Sequence, residues 1–341
     1  MSKDNSSNAR RRRKLLGMLL LCGPLVGIAA EPKVAASIKP VHSLAAGVMQ
    51  GVGEPILLVP GGASPHEYSL RPSDLRAINE AQAVFWIGPD LETFLIKPLA
   101  NVADRVRAVA LMEAPDLTVL PLREGGAWEP HAHGHGDHKH DHNHKHDHKH
   151  GHDHKHGHDH KHGHGHGHAD RDAHVWLDPV NAIAMVRQIV ATLGVIDPDH
   201  QADYARNGAA LIERLDQMNQ RLAAELQPIQ GRPYIVFHDA YQYFERRYSL
   251  NAVGSVVLQP EQRPGARRVA EIQKRIRDLR ARCVFSEPQF QPALVETVIA
   301  ESDARKGVLD PLGAELTSGP DAYFQLLQNL VDALRECLGD S

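Results

Sequence analysis

The sequence predicts an α/β protein with two strand-helix lobes, each a parallel-type sheet flanked by helices, joined by one long rigid α-helix. Three observations support this. Short β-type runs alternate with helical patterns over residues 33–110, and the alternation resumes after residue 233. Between these blocks lies one long stretch of helical periodicity. Strand-helix alternation is typical of parallel sheets covered by helices, and such sheets place ligands beyond the carboxyl ends of their strands.

Residues 1–30 have the pattern of a cleavable signal peptide. A basic segment, Arg10 to Lys14, precedes an apolar one, Leu15 to Ile28, and the small residues Ala29 and Ala30 follow. The apolar run is shorter than the roughly 20 residues that span a membrane. We therefore expect export by either the general or the twin-arginine route.

The net charge and the cysteines of the exported chain indicate which partners and which covalent links to expect. Removal of residues 1–30 takes away six basic residues and one acidic residue, which leaves a net charge of −9 with histidine neutral. An acidic chain outside the cytosol argues against a nucleic-acid partner. Two cysteines remain, Cys283 and Cys337. In an oxidising compartment they are candidates for a disulfide, the alternative being two buried free thiols.

The predicted N-terminal lobe, residues 31–198, contains two histidines next to predicted elements. Its strands are Val34–Ile38, Ile56–Val59, Ala83–Ile87 and Val106–Ala110, and its first helices are His42–Gln50, Leu75–Glu80 and Leu91–Leu99. His66 lies in the loop GGASPHEYSLRPSD after the second strand. His174 lies just before a helix that Asp178 caps and Pro179 begins.

Residues 131–168 form a histidine-rich segment that we predict to be a mobile, disordered loop. It holds 19 of the 24 histidines and almost no apolar residue, so it cannot bury enough surface to fold. Imidazole is a common ligand of zinc, copper and nickel. We expect accessory, low-affinity metal binding by His131, His133, His135, His138, His140, His142, His144, His146, His148, His150, His152, His154, His156, His158, His160, His162, His164, His166 and His168.

A connecting helix is predicted over residues 199–228, followed by a C-terminal lobe over 229–341. Apolar residues at spacings of three and four fit one face of a helix about 42 Å long. The second lobe has strands Tyr234–Phe237, Ala252–Leu258, Cys283–Phe285 and Val308-Leu309, and helices Ala266–Leu279, Pro292–Glu301 and Tyr323–Cys337. His238 and Asp310 directly follow strands.

His66, His174, His238 and Asp310 together predict a metal site in the cleft between the lobes. Three imidazoles and a carboxylate can surround Zn²⁺ tetrahedrally, whereas manganese favours more oxygen ligands. His42 and His200 are expected to be surface or structural histidines. A zinc hydrolase would need a general base at an open metal position. Glu67 and Asp239 are near in sequence, but no catalytic motif surrounds them, and we expect no enzyme activity.

The ordered segments GASPHEYSLRPSD, HVWLDP, FHDAYQYF, EPQFQP and LDPLG carry a specific resemblance over nearly all of residues 33–341. With the acidic, histidine-rich insertion, the chain resembles the zinc-binding ZnuA family, the periplasmic substrate-binding components of bacterial zinc-uptake ABC transporters. The resemblance implies His66, His174 and His238 as ligands. Asp310 is a fourth ligand in some relatives, and water is the alternative. The resemblance also implies a disulfide between Cys283 and Cys337.

Two differences between this chain and some of its relatives bear on which metal it binds. Manganese-binding relatives typically have glutamate where this chain has His238, which favours zinc. Some zinc-binding relatives carry an acidic residue before the first histidine, where this chain has Pro65.

The function implied by the resemblance is capture of Zn²⁺ in the periplasm and delivery to an inner-membrane ABC permease by a monomeric carrier. The alternatives are a manganese or iron carrier of the same fold and a free-standing periplasmic zinc buffer. The histidine-rich loop would either deliver zinc to the cleft or act as a passive buffer. Because the ligands bind zinc when deprotonated, affinity should fall as the pH drops through the histidine range.

Overall fold

The computed structural model describes residues 31–123, 128, 171–257, 265–290, 293–300 and 302–340. The predicted signal peptide, residues 1–30, and the histidine-rich segment, residues 131–168, lie outside the described residues.

The first sheet has four parallel strands in the order β2-β1-β3-β4. They are β1 Val34–Ala36, β2 Ile56–Leu57, β3 Ala83–Trp86 and β4 Arg107–Ala110. The two central strands, VAA and AVFW, are buried along their whole length. Continuous apolar runs of this kind are expected of strands covered on both faces by helices.

Four helices accompany this sheet: α1 Lys39–Val48, α2 Pro72–Glu80, α3 Ile96–Ala100 and α4 Pro179–Ile196. Asp178 caps α4 as predicted, because its side chain accepts a hydrogen bond from the Val180 N–H. By length and composition α4 could cross a membrane, but 56% of it is buried in the protein, which is typical of a core helix.

The helix predicted over Leu91–Leu99 is wrong in its first half. Only a 3₁₀ turn, Thr93–Leu95, and the short α3 form there. The buried Glu92 carboxylate accepts hydrogen bonds from the backbone N–H groups of Ile87 and Gly88 and from the Ser37 hydroxyl. These contacts hold the chain in a turn before the helix begins.

The second sheet repeats the first, with four parallel strands in the order β6-β5-β7-β8. Its strands are β5 Pro233–Val236, β6 Asn251–Ser255, β7 Cys283–Ser286 and β8 Arg305–Val308. Its helices are α6 Gln242–Tyr248, α7 Ala266–Leu279, α8 Ala293–Ile299 and α9 Ala322–Leu338. A disulfide joins Cys283 to Cys337, which confirms the predicted pair and ties β7 to α9.

The long helix α5, Gln201–Leu226, stands between the two sheets in the chain and is extended by 3₁₀ turns at Pro198–His200 and Gln227–Ile229. Its apolar stripe is buried: Leu211, Leu215, Met218, Leu222 and Leu226. The two parallel sheets and this helix confirm the predicted fold class.

The described residues from Glu31 onward belong to one compact unit, and the lobe boundaries at 198/199 and 228/229 stay predictions. One continuous apolar cluster contains residues of both sheets and of α5, together with Trp176 and Tyr323. Tyr323 donates a hydrogen bond to the carbonyl of Trp176 across 2.6 Å. The two halves of the chain therefore share a core, and loops from both meet above it.

Candidate metal centre

The three predicted histidine ligands lie together although they are far apart in sequence. The ring centroids are 5.5 Å apart for His66 and His174, 5.9 Å for His66 and His238, and 5.3 Å for His174 and His238. One nitrogen from each ring lies within 4.8 Å of the other two. The fold thus brings two ligands from the first half of the chain to one from the second.

Local structure explains how each ring reaches this point. His66 lies in the loop between β2 and α2, and His238 follows the carboxyl end of β5 by two residues. His174 precedes the 3₁₀ turn Val175–Leu177 that leads into α4. His66 and His238 thus follow strands of parallel sheets, where such sheets present ligands, whereas His174 lies at the start of a helical segment.

Two buried carboxylates fix the orientation of two rings. The Nδ1 of His174 lies 2.8 Å from Oδ1 of Asp172, and the Nδ1 of His238 lies 2.6 Å from Oε1 of Glu287. Asp172 is 1% exposed and Glu287 3% exposed. Because a carboxylate only accepts hydrogen bonds, Nδ1 of each ring donates and Nε2 presents its lone pair. Histidines that bind metals have this arrangement, in which a carboxylate orients the ring and raises its basicity.

The two Nε2 atoms face each other at a distance suited to a shared ion. They are 3.4 Å apart. Two nitrogens bound tetrahedrally to Zn²⁺ at 2.0–2.1 Å would be about 3.3 Å apart. Two lone pairs at this distance repel each other, and a cation between them turns the repulsion into attraction. The site is therefore preorganised for a small cation with nitrogen ligands.

His66 completes the group in a different way. Burial and the neighbouring rings of His174 and His238 hold its pKa well below the ordinary value of 6.5. The neutral ring is the form that binds metal. Among the described residues no side chain or backbone group forms a hydrogen bond with the His66 ring, so its position depends on its loop.

The rings border a small cavity. It offers about 10 Å³ to the centre of a water-sized sphere, which is room for one water or one ion. Its lining combines the three histidines with residues of both halves: Ser64, Pro65, Trp176, Glu287, Gln289, Phe290, Pro311 and Leu312.

Asp310 is outside the group of atoms within 4.8 Å of one another. Its oxygens accept hydrogen bonds from the backbone N–H groups of Leu312 and Gly313, each at 3.0 Å, and of Ala314 at 2.5 Å. The side chain of Gln289 donates a further hydrogen bond at 2.9 Å. The carboxylate thus organises the loop that follows β8.

Two orienting residues, Asp172 and Glu287, were not identified from the sequence. Asp172 precedes His174 by two residues, and Glu287 directly follows β7, the neighbour of β5 in the sheet. Both positions were visible in the sequence as acidic residues close to a predicted ligand or strand end. Neither of the two candidate general bases lines the cavity: Glu67 is exposed, and Asp239 binds Arg123.

The chain is similar over almost its whole length to zinc-uptake proteins. Residues 34–337 match the family described as zinc-uptake complex component A, periplasmic, or ZnuA. The high-affinity zinc uptake system protein ZnuA of Brucella abortus is 52% identical over 305 residues, covering 89% of this chain and 91% of that protein. The Yersinia pestis protein of the same name is 34% identical over 328 residues, covering 96% and 97%.

The fold comparison agrees. A crystal structure of a ZnuA deletion mutant with zinc bound matches with a TM-score of 0.69 at 24% identity, covering 92% of this chain and all of that chain. At this identity the match supports the fold alone. The sequence match over residues 34–337 and the identity to curated relatives place the chain in the ZnuA family of periplasmic zinc-uptake components.

Proposed function

We propose that this protein captures Zn²⁺ in the periplasm and delivers it to the membrane permease of a zinc-uptake ABC transporter. Zinc is the cargo, and His66, His174 and His238 are its ligands. The observation that carries the proposal is the pair of Nε2 atoms 3.4 Å apart on rings oriented by buried carboxylates. The curated relatives are named high-affinity zinc uptake proteins, which supports zinc as the ion.

The ligand chemistry favours zinc over manganese. The close group consists of three imidazole nitrogens and contains no carboxylate. Imidazole suits zinc, whereas carboxylate, carbonyl and water oxygens suit manganese. Because zinc has no geometric preference of its own, a tetrahedral arrangement set by the protein is enough to bind it.

We propose water as the fourth ligand. The oxygens of Asp310 already accept four hydrogen bonds, three of them from its own loop. Moving this carboxylate to the ion would break those bonds.

The role is transport rather than catalysis. Members of the family are substrate-binding components of a transport system. A hydrolase would need a base next to a metal-bound water. Asp239 is paired with Arg123, Glu67 is exposed, and neither residue lines the cavity beside the three histidines.

The remaining parts of the proposal concern export and the histidine-rich segment. Residues 1–30 act as a signal peptide that sends the chain to the periplasm, where it works as a monomer. The segment 131–168 collects zinc loosely, either for transfer to the cleft or as a buffer. Unchanged uptake under severe zinc limitation after deletion of this segment would contradict transfer.

The first experiment is a zinc titration of the mature chain without residues 131–168, with manganese as competitor. We expect one tight zinc per chain, lost in His66→Ala, His174→Ala and His238→Ala. His200→Ala is the matched control, because its ring binds Asp197 away from the site. Weak binding that returns only with the histidine-rich segment would refute the cleft as the specific site, and preference for manganese would refute zinc as the cargo.

A further inference from the structure

Two loops from different halves of the chain touch beside the cavity. One is the loop between β2 and α2, which carries His66. The other follows β8 and is called here the 310–316 loop. A Cβ atom placed on Gly61 would lie 2.0 Å from the carbonyl oxygen of Ala314. The two backbones are therefore in direct contact, and only glycine fits at this point.

A buried lysine binds the 310–316 loop beside this contact. Lys39, at the start of α1, is 6% exposed. Its Nζ donates hydrogen bonds to the carbonyl oxygens of Gly313 at 2.6 Å, Ala314 at 2.9 Å and Leu316 at 2.6 Å. An ammonium group has three protons, and each has a carbonyl partner here. A buried charge is tolerated when its hydrogen bonds are satisfied in this way.

Asp310 orients the peptide groups of the loop that binds the Lys39 ammonium group. Its carboxylate binds the backbone N–H groups of Leu312, Gly313 and Ala314. The peptide groups of the loop are then held with their N–H groups towards Asp310, while the carbonyls of Gly313 and Ala314 bind Lys39. Asp310 therefore binds N–H groups, and Lys39 binds carbonyl groups, of the same short segment.

The 310–316 loop also contacts the segments of the other ligands. The carbonyl of Pro311 accepts a hydrogen bond from Nε1 of Trp176 at 2.8 Å, and the Trp176 ring lies 5.3 Å from that of His174. Pro311 and Leu312 line the cavity with the three histidines. A shift of this loop would therefore affect the zinc site in two ways, through Trp176 beside His174 and through the cavity lining.

We propose that Lys39 and Asp310 form a latch that holds the His66 loop against the 310–316 loop and so sets how tightly zinc is retained. The proposal rests on the zinc-binding function proposed above. Both residues act as positioning residues, and Asp310 acts through its loop rather than as a zinc ligand. Of the three ligands, His66 should be the most sensitive to the position of its loop, because its ring has no hydrogen bond to the described residues.

The test compares zinc binding by the full mature chain and by Lys39→Met, which keeps the length of the side chain and removes its three donors. We expect zinc to dissociate about tenfold faster, which corresponds to about 1.4 kcal/mol of binding free energy at an unchanged association rate. The matched control is Arg247→Met. Arg247 also joins the two halves, by a two-point ion pair with Asp178, and among the described residues it forms no hydrogen bond with the 310–316 loop. Unchanged zinc dissociation in Lys39→Met, or an equal increase in Arg247→Met, would overturn the latch.

A double-mutant cycle separates the latch from direct ligation by Asp310. If Asp310 works through the loop that Lys39 binds, Asp310→Asn and Lys39→Met will weaken zinc binding to similar extents, and the double variant will be no worse than either. Residues of one network are non-additive in this way. A far larger loss in Asp310→Asn that adds to that of Lys39→Met would show direct ligation and overturn the assigned role.

Two further variants separate a failure of the latch from a failure to fold and from a failure of the zinc site. Gly61→Ala pushes the same loops apart without burying or removing a charge, and it should speed zinc dissociation even if Lys39→Met fails to fold. Unchanged zinc dissociation in a folded Gly61→Ala would count against the latch. Melting of the metal-free variants gives the structural baseline. His174→Ala tests the zinc site itself: if it retains tight zinc, the proposed function fails, whereas an inert Lys39→Met alone defeats only the latch.

Discussion

Replacing Glu287 should weaken zinc binding although this residue is not a ligand. Its Oε1 lies 2.6 Å from Nδ1 of His238, and the two side chains are almost fully buried. In Glu287→Gln the amide oxygen can still accept a hydrogen bond from Nδ1–H, so the ring orientation survives and only the charge is lost. In Glu287→Ala the Nδ1–H loses its partner, and the ring can move its proton to Nε2, the atom that should bind zinc.

The size of the effect follows from the contact. A hydrogen bond to a charged group contributes about 1.5–3 kcal/mol, and tenfold in affinity corresponds to about 1.4 kcal/mol. Loss of a carboxylate behind a metal-binding histidine typically costs about 10- to 100-fold in metal affinity. We therefore expect about tenfold weaker zinc binding for Glu287→Gln and about 100-fold for Glu287→Ala.

Chelator competition at fixed pH measures these affinities, and ¹⁵N spectra of the metal-free protein report which nitrogen of His238 carries the proton. Glu296→Gln is the matched control. Glu296 is an exposed glutamate on α8 that pairs with Lys306, and its replacement should leave zinc affinity unchanged. Zinc affinity of Glu287→Ala within twofold of the parent protein would refute the argument, as would an unchanged tautomer in a variant that binds weakly.

Three further predictions concern stability. Replacing Cys283 and Cys337 by alanine opens a loop with a sequence separation of 54, which should lower the free energy of unfolding in urea by about 4 kcal/mol on the chain-entropy estimate. Burial raises the pKa of Glu92 to about 7, against roughly 4.3 when unfolded. The folded state thus holds the extra proton, and stability should fall by up to about 3 kcal/mol as the pH rises from about 4.5 to 7. Gly208→Ala should destabilise by about 1–3 kcal/mol, because its Cβ would lie 2.4 Å from Val190 in the packing of α4 against α5.

Each stability prediction has its own check. Reduction of the parent protein should reproduce the effect of removing both cysteines. Glu92→Gln should abolish its share of the pH dependence, and an unchanged pH profile in that variant would contradict the assignment. Gly194→Ala in α4 is the control for Gly208→Ala in α5, because the Cβ at position 194 would meet only the flexible side chain of Gln201 at 3.2 Å. Equal destabilisation by both glycine variants would contradict the packing argument.

Elements with strong local periodicity were predictable from the sequence. The helix Ala266–Leu279 is predicted to the residue, and the buried stripe of α5 matches its apolar spacing. Where a distant contact decides local structure, prediction from the sequence fails. The start of the helix after β3 was predicted wrongly because Glu92 turns inward to bind Ser37, which lies 55 residues away in the sequence.

The sequence by itself determined the fold class, and it predicts His66 and His238 at one edge of their sheets, because parallel strands place the residues after them at a common edge whatever the details of packing. It predicts His174 as a third candidate from its place just before a helix. Only the tertiary structure decided the rest of the site. Asp310 resembles a ligand in sequence, yet it binds the N–H groups of its own loop. Glu287 lies 49 residues from His238 and Lys39 lies 274 from Gly313. Local patterns encode which element a residue belongs to, but the partner of a buried charge depends on how distant segments pack.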